Sequence, residues 1–459
     1  MDTLPPPATP DAPPETVDGP PPVTVVPSFE EVTGWSVRKR SLSTTGEDFL
    51  LEEKLQGFVE AAPGASRVRI PARDGASERS FDAPDAQYLS DACRHPSGEV
   101  SAVLVGQDQT VSLARLAPDL SPLAVTSFHD PDVANDPAPP GSTPTDLRTG
   151  GLSYDSARMV CVGEDILFVV NASGYTVIAY KTRFVDGDWA PARRTLVEPQ
   201  GGVTLFLPIG GSFDTFEAIT VSQRSFIDVD DGGNAYIATF AQESKVRRHA
   251  QFFGDGLVSL PGDPMFPSGF HEADVLLTKL DPDGARVWTR VVGTVHEDEP
   301  YAIRVRDGRV AVVGRARRNP GLDNTFWDAF IAVTTTDGDP VGARTLPLDA
   351  SGIFLAVDGL PGGGWVLGGS DGWSQNPDGL SVLSFGKKLL LELASIDAPP
   401  ARVDLPAGPR HNEVRAVIAG ADAIWLGGQD DGPVMHTGDG DPSQIHSNGV
   451  VGIVPRPLN

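Results

Sequence analysis

Short apolar runs of about four to eight residues recur along the chain, alternating or continuous, and each stops at a turn rich in Gly, Asp or Pro. One set forms strand-turn-strand units that tend to end in glycine: Ser97–Gly106, Gly163–Asn171, Gly232–Phe240, Asp307–Gly314, Gly362–Gly369 and Ala421–Gly428. A second set follows them as further hairpins: Thr110–Phe128, Thr176–Leu196, Asp274–Gly293, Asp328–Leu348 and Lys388–Leu405. A first half joined to the second half behind it makes a four-stranded unit. Such a unit cannot bury its apolar face alone and must stack on its neighbours. No segment sustains a 3.6-residue period, so long helices are not expected.

The pattern predicts an all-β chain folded as a single β-propeller of four-stranded blades, in which radial repetition leaves only short edges. Six blades are expected, at approximately 88–128, 157–198, 225–293, 300–348, 353–405 and 413–454. After the sixth first half only Gly449–Val454 remains, whereas Phe49–Ile70 reads as a hairpin with no regular first half before it. The two incomplete pieces complement each other. The expectation is therefore that 49–70 completes the last blade, so that N- and C-terminal segments pair and cover an open edge. Seven blades follow instead if Val32–Leu42 contributes further strands. The propeller is assigned to residues 32–459 and a Pro-rich tether to residues 1–31.

One unit carries a family resemblance. DVLLTKLDPDGARVWTRVVG (Asp274–Gly293) followed by EDEPYAIRVRDGRVAVVG (Glu297–Gly314) resembles the bacterial SBBP-type β-propeller repeats. The matching features are an acidic residue opening a strand, a Lys-Leu-Asp turn with Gly, a Trp, and a Gly-ended strand. The resemblance implies a propeller repeat of the kind found in surface or secreted proteins. It names no activity.

Composition changes the picture in three ways. Apolar residues are 40%, enough for a packed interior, and 50 Gly with 42 Pro suit many tight turns between short strands. The formal charge of -26 argues against nucleic acid or an anionic membrane as the main partner, because phosphate binding needs local positive charge. The short basic stretch Lys245–His249 is read as a solvated loop. No apolar run approaches the roughly 20 residues that cross a bilayer, so the propeller is not expected to insert into a membrane. The Pro-rich opening resembles the tethers that follow cleaved signals. The chain is therefore expected to be an exported bacterial protein, extracellular, on the cell surface or periplasmic, with a lipid anchor upstream of the tether and Met1 in place of a removed export signal. Two cysteines, Cys93 and Cys161, fall near the ends of equivalent strands in consecutive units. They are read either as a disulfide or as two buried thiols.

Loop lengths point to one working face. Turns within each hairpin are short, whereas blade links and the loops between second and third strands hold nearly every insertion, mostly over the last four units. Function concentrates on long loops held by a rigid scaffold. The candidate binding residues on these loops are Phe266, Phe270, His271, Arg317, Trp327, Trp373 and Asn376, since aromatics and arginines anchor protein and glycan interfaces. The alternative is that the aromatics are buried in small cores over the blades. In the last loop Asp430, Asp431, His436, Asp439, Asp441 and His446 form a candidate divalent-cation site, for Ca2+ if only oxygens bind and for a transition metal if imidazole takes part. No other cofactor is expected. The acidic stretch Asp228–Asn234 is read as a structural turn.

No Gly-x-Ser-x-Gly, His-Glu-x-x-His, phosphate-loop or dinucleotide motif occurs. The sequence therefore favours a non-enzymatic scaffold presenting one loop-rich face to a protein or glycan. The alternatives are a glycan-active hydrolase or lyase using carboxylates on that face, and a structural component of a surface assembly. The central funnel discriminates between the first two. Carboxylates converging there with a His or Arg favour catalysis, while an apolar centre under exposed rim aromatics favours binding.

Overall fold

The computed structural model describes residues 28–54, 66–130, 157–198, 203–208, 216–221, 225–242, 273–294, 298–317, 327–346, 351–372, 386–406, 411–432 and 448–456, short turns within these ranges excepted, with a few isolated positions. Strand β1 (Ser28–Val32) precedes a first blade of β2 (Ser36–Leu42), β3 (Asp48–Glu53), β4 (Ser66–Ile70) and β5 (Arg79–Asp82). The second blade holds β6 (Gln87–Arg94), β7 (Val100–Gly106), β8 (Val111–Leu116) and β9 (Pro122–Ser127). The third holds β10 (Ala157–Val162), β11 (Asp165–Ala172), β12 (Thr176–Val185) and, beyond the two-residue β13 (Asp188–Trp189), β14 (Arg193–Glu198). A separate hairpin, β15 (Val203–Pro208) and β16 (Phe216–Val221), lies in the link to the fourth blade. That blade comprises β17 (Ser225–Val229), β18 (Ala235–Gln242), β19 (Ala273–Leu280) and β20 (Arg286–Val292).

The fifth blade is β21 (Asp298–Arg306), β22 (Arg309–Arg317), β23 (Trp327–Thr335) and β24 (Pro340–Leu346). The sixth is β25 (Gly352–Gly359), β26 (Trp365–Asp371), β27 (Lys387–Leu393) and β28 (Ala401–Arg402). The seventh is β29 (His411–Ala419), β30 (Ala423–Gly432) and β31 (Asn448–Pro455), with β1 as its fourth strand. The first strand of each blade is innermost, and the seven together surround one central cavity.

The chain is thus a seven-bladed propeller, which corrects the expectation of six and agrees with the alternative in which Val32–Leu42 contributes a strand. The missed blade is the first. Its inner strand reads SVRKRSL, and three consecutive cations disguise a core strand. Arg38 and Arg40 are nevertheless buried, each spending its guanidinium on neighbouring blades. Residues 49–70 do not complete the last blade: they contain β3 and β4, paired within the first. The outer strand of the seventh blade is β1, antiparallel to β31 in a register running from Ser28↔Ile453 to Val32↔Gly449. This strand starts inside the segment read as a tether.

Burial explains the continuous apolar runs. The core is divided into layers, one between each pair of neighbouring blades, so a middle strand is buried on both faces. In β22, Val310 and Val312 pack toward the fourth blade with Tyr236 and Leu277, while Ala311 and Val313 pack toward the sixth with Leu367 and Leu391. Each fully buried Leu or Val contributes about 1.5–3 kcal/mol, and every blade depends on its neighbours for it. A small cluster of Val32, Val37, Leu50 and Val451 joins the seventh blade to the first.

Candidate functional site: the central cavity

Five inner strands carry an irregularity at the same place. The register shifts between Val37 and Lys39, Leu89 and Asp91, Pro300 and Ala302, Phe354 and Ala356, and Val414 and Ala416. Each shift inserts one extra residue (Arg38, Ser90, Tyr301, Leu355 or Arg415), which bends the strand and re-aims its side chains. In the last three blades the residue opposite is glycine, at Gly314, Gly369 and Gly428. A Cβ at these positions would run into the carbonyl oxygens of Glu299, Ile353 and Glu413 respectively. The recurrent glycine of the sequence pattern is therefore the residue on which the bulged strand rests.

The cavity these strands enclose has a volume of about 1130 Å3. Its wall holds nearly balanced basic and acidic side chains, although the chain as a whole carries 36 Lys and Arg against 62 Asp and Glu. The charges act between blades. Asp91 on β6 accepts the Met159 amide of β10 at 2.9 Å, Asp228 on β17 accepts the Val305 amide of β21 at 2.7 Å, and Asp358 on β25 accepts the Ala419 amide of β29 at 2.8 Å. The same device thus joins blades two to three, four to five and six to seven. Cations and hydroxyls span the other junctions. Lys39 donates to Asp91 (2.9 Å), Ser225 to Asn171 (2.8 Å), and Arg304 to Asp358 (2.7 Å). Arg40 donates to the Leu426 and Gly452 carbonyls, both at 2.9 Å, and Arg415 to Glu53 at 2.5 Å, linking the seventh blade to the first.

These contacts set the protonation of the buried carboxylates. Burial would raise Asp91, but Lys39, Arg158 and the Met159 amide together hold it below the ordinary carboxylate value. Burial pushes Asp228 up, because its partner Arg304 lies 3.4 Å away and is closer to Asp358. Arg304 has its charge opposed by burial and supported more strongly by the two aspartates, so it stays firmly protonated. Asp228, Arg304 and Asp358 are carboxylates converging on an arginine. Such convergence is the arrangement expected from the sequence to favour catalysis; each aspartate also accepts a backbone amide of the next blade, so the same groups join the ring.

The antiparallel order places the blade links and the loops between second and third strands on one face. The strand ends Gln242 and Ala273, Arg317 and Trp327, Asp371 and Lys387, and Gly432 and Asn448 all open on that face; the residues between them lie outside the described residues, apart from an isolated position. On the opposite face the turns are short, and one of them, Asp228–Asn234, is held internally: Asp230 accepts the Asn234 amide (2.9 Å), the Asn234 side chain (2.9 Å) and the Tyr236 hydroxyl (3.0 Å). Of the candidate binding residues, Trp327 opens β23, is 7% exposed, and lies under the Arg315 guanidinium at 4.2 Å. Arg317 ends β22, and Phe266, Phe270, His271, Trp373 and Asn376 lie outside the described residues. Of the candidate cation ligands, Asp430 pairs with Lys388 and Asp431 is a strand residue of β30. His436, Asp439, Asp441 and His446 lie outside the described residues. Sequence reasoning missed Asp91, Arg304 and Asp358, and read Asp228 only as the start of a structural turn. The signal was a carboxylate inside an apolar run (YLSDAC, SFIDV, LAVDG), since a charge buried there requires a partner.

No protein-family model matches the chain, and no curated protein matches it. Solved structures do resemble it at low identity. The WD40 β-propeller domain of Doa1 is 9% identical, with 95% of this chain and 97% of that one covered and a TM-score of 0.43. The Pan2 WD40 domain of Neurospora crassa is 9% identical over 93% and 91% of the two chains, TM-score 0.46. The GH93 α-L-arabinofuranosidase of Fusarium graminearum is 8% identical over 81% and 95%, TM-score 0.46. Among the described residues, no helix is long and apolar enough to cross a membrane.

Proposed function

We propose that the protein is a non-enzymatic propeller scaffold, exported and held by its Pro-rich N-terminal segment, that presents its loop-bearing face to a protein or glycan partner. The observation that carries this reading is that the strand ends joined by the longest segments open on one face of a ring whose cavity aspartates Asp228 and Asp358 bridge neighbouring blades. Rigid scaffolds that extend loops on one face are built to bind. The bond between Cys93 and Cys161 supports export, because disulfides persist in oxidising compartments. The segment similar to SBBP-type repeats covers β19 to β22 and agrees with a surface role. A divalent cation at 430–446 would be an accessory of the same face.

The test uses the full chain on a glycan array and in pull-downs from its source. Two variants are compared with it, one with 373–385 and 433–447 each replaced by a Gly-Ser linker, the other Arg304→Gln in the cavity. The reading expects the loop variant to lose capture with its melting temperature retained, and the cavity variant to keep capture. Capture that survives loop replacement but disappears with Arg304→Gln overturns it and favours the glycan-active alternative.

A further inference from the structure

Cys93 and Cys161 lie on β6 and β10, the inner strands of adjacent blades, and their sulfurs are bonded. His95, just past the end of β6, stands beside them with Nε2 3.4 Å from Cys161 Sγ. Its Nδ1 lies 2.8 Å from the Gly163 carbonyl oxygen. A carbonyl only accepts, so Nδ1 carries the proton and Nε2, the unprotonated nitrogen, lies beside Cys161 Sγ. The Ser101 hydroxyl, 2.8 Å away and held by Arg115 at 3.1 Å, donates to Nε2 and must turn away for that nitrogen to take a metal. One ligand atom from each of Cys93, His95 and Cys161 falls within 4.8 Å of the others. Cys93 and His95 are 8% and 3% exposed, and both cysteines form part of the central cavity wall, which provides a path of entry.

Two sulfurs, an imidazole with its outer nitrogen fixed by a carbonyl, and a cavity bordered by both cysteines meet the requirements of a thiolate-preferring metal. We propose that, when the disulfide is reduced, Cys93, Cys161 and His95 bind a Zn(II) ion, with a water from the cavity as fourth ligand. The exchange balances. A dithiol transfers two electrons and two protons, the S–S bond breaks to two thiols, and the dithiol becomes a disulfide. Metal entry then displaces the two thiol protons to water, leaving two thiolates that neutralise the dication. The junction between the second and third blades is cross-linked in either state, by sulfur or by metal. This site is distinct from the acidic cluster at 430–446, which contains no sulfur.

Cobalt(II) is the probe, added to the full chain after reduction and removal of the reductant under argon. The expected result is one Co(II) per chain, with a near-ultraviolet thiolate-to-metal band and the visible bands of four-coordinate cobalt, all lost on adding Zn(II). The oxidised chain shows none of these. Cys161→Ser abolishes the thiolate band, and His95→Gln weakens binding by more than about tenfold, since even the partners behind a metal ligand are worth roughly 10- to 100-fold. If reduction unfolds the chain, Zn(II) is expected to restore its circular dichroism and melting transition. Absence of the bands in the reduced chain, equal metal uptake by the oxidised chain, or failure of Zn(II) to refold an unfolded reduced chain each overturns the proposal.

Discussion

Replacing Asp358 by alanine separates a structural carboxylate from a catalytic one. Asp358 is 3% exposed and accepts three hydrogen bonds: from Ala419 N at 2.8 Å, from Gly359 N at 2.9 Å and from Arg304 Nε at 2.7 Å. Asp358→Ala leaves two backbone amides without their acceptor and removes the nearer partner of Arg304. A buried polar group left unpaired costs roughly 1–3 kcal/mol, and two amides give an upper range near ~6 kcal/mol. Water from the adjoining cavity can reach part of the vacated site, so the expected loss is about 2–4 kcal/mol. Asp358→Asn keeps the shape and one acceptor oxygen. It exchanges charge-assisted bonds for neutral ones about half as strong, for an expected loss of roughly 1–2 kcal/mol.

Urea unfolding followed by tryptophan fluorescence measures both losses, with the slope expected to stay constant because the buried area is unchanged. Hydrogen exchange read by mass spectrometry supplies the local signature. Peptides covering β29 should lose protection in Asp358→Ala while peptides from the second and third blades do not. Asp283→Ala, at a side chain 84% exposed, is the control and should change nothing. If Asp358→Ala shifts stability by less than about 0.5 kcal/mol and leaves exchange in β29 untouched, the carboxylate does not join the sixth blade to the seventh. The cavity charges are then not what joins the blades.

Three further outcomes follow from the same geometry. Gly369→Ala should cost roughly 1–3 kcal/mol in urea unfolding, because its Cβ meets the Ile353 carbonyl and strands β25 and β26 must part to admit it; Gly232→Ala, facing only movable side chains, should cost less, and equal costs would refute the close-approach account. Burial raises Asp228 above 3.8, so between 3.8 and its native value the folded chain holds a proton that the unfolded chain has lost. Its contribution is full below 3.8 and disappears as pH rises through the raised value. The stability of Asp228→Asn relative to the parent should therefore improve from pH ~4 to neutrality, and a pH-independent difference contradicts the assignment. Starting the chain at Trp35 deletes β1 and leaves β31 as an open edge, so we expect a lower melting temperature and self-association on gel filtration; a monomer with an unchanged melt would show that β1 does not hold the ring together.

What was legible in the sequence was whatever burial on two faces writes into it. The runs VSAVLVG, DILFVVNA and RVAVVG sit between two apolar layers, so they contain few polar residues and read as strands without ambiguity. Glycine at the end of such a run was legible as a mark of the repeat, though its cause, the bulged strand resting on Gly314, Gly369 and Gly428, was not. The first blade was only half legible, its hairpin at 49–70 read but assigned to the last blade and its inner strand held as an alternative, for the opposite reason. Its inner strand faces the cavity and carries the cations that join it to both neighbours: Arg38 to the Tyr88 hydroxyl, Lys39 to Asp91, and Arg40 to two carbonyls of the seventh blade. A hydrophobic pattern records contact between apolar layers, and this strand makes its defining contacts through charge.

The same reasoning locates what the sequence could not reveal about the cavity. Asp91, Asp228 and Asp358 are separated by more than a hundred residues, and each is useful only because the next inner strand offers an amide at the right height. That height is set by strand register within each blade, shifted at Asp91 and Asp358 by a bulge one or a few residues earlier. A lone Asp in an apolar run announces that a partner must exist, since an unpaired buried carboxylate would cost several kcal/mol. It does not announce whether the partner is a ligand, a metal or the neighbouring backbone. Here the neighbouring backbone answers, and the charges at the centre of the ring belong first to the ring.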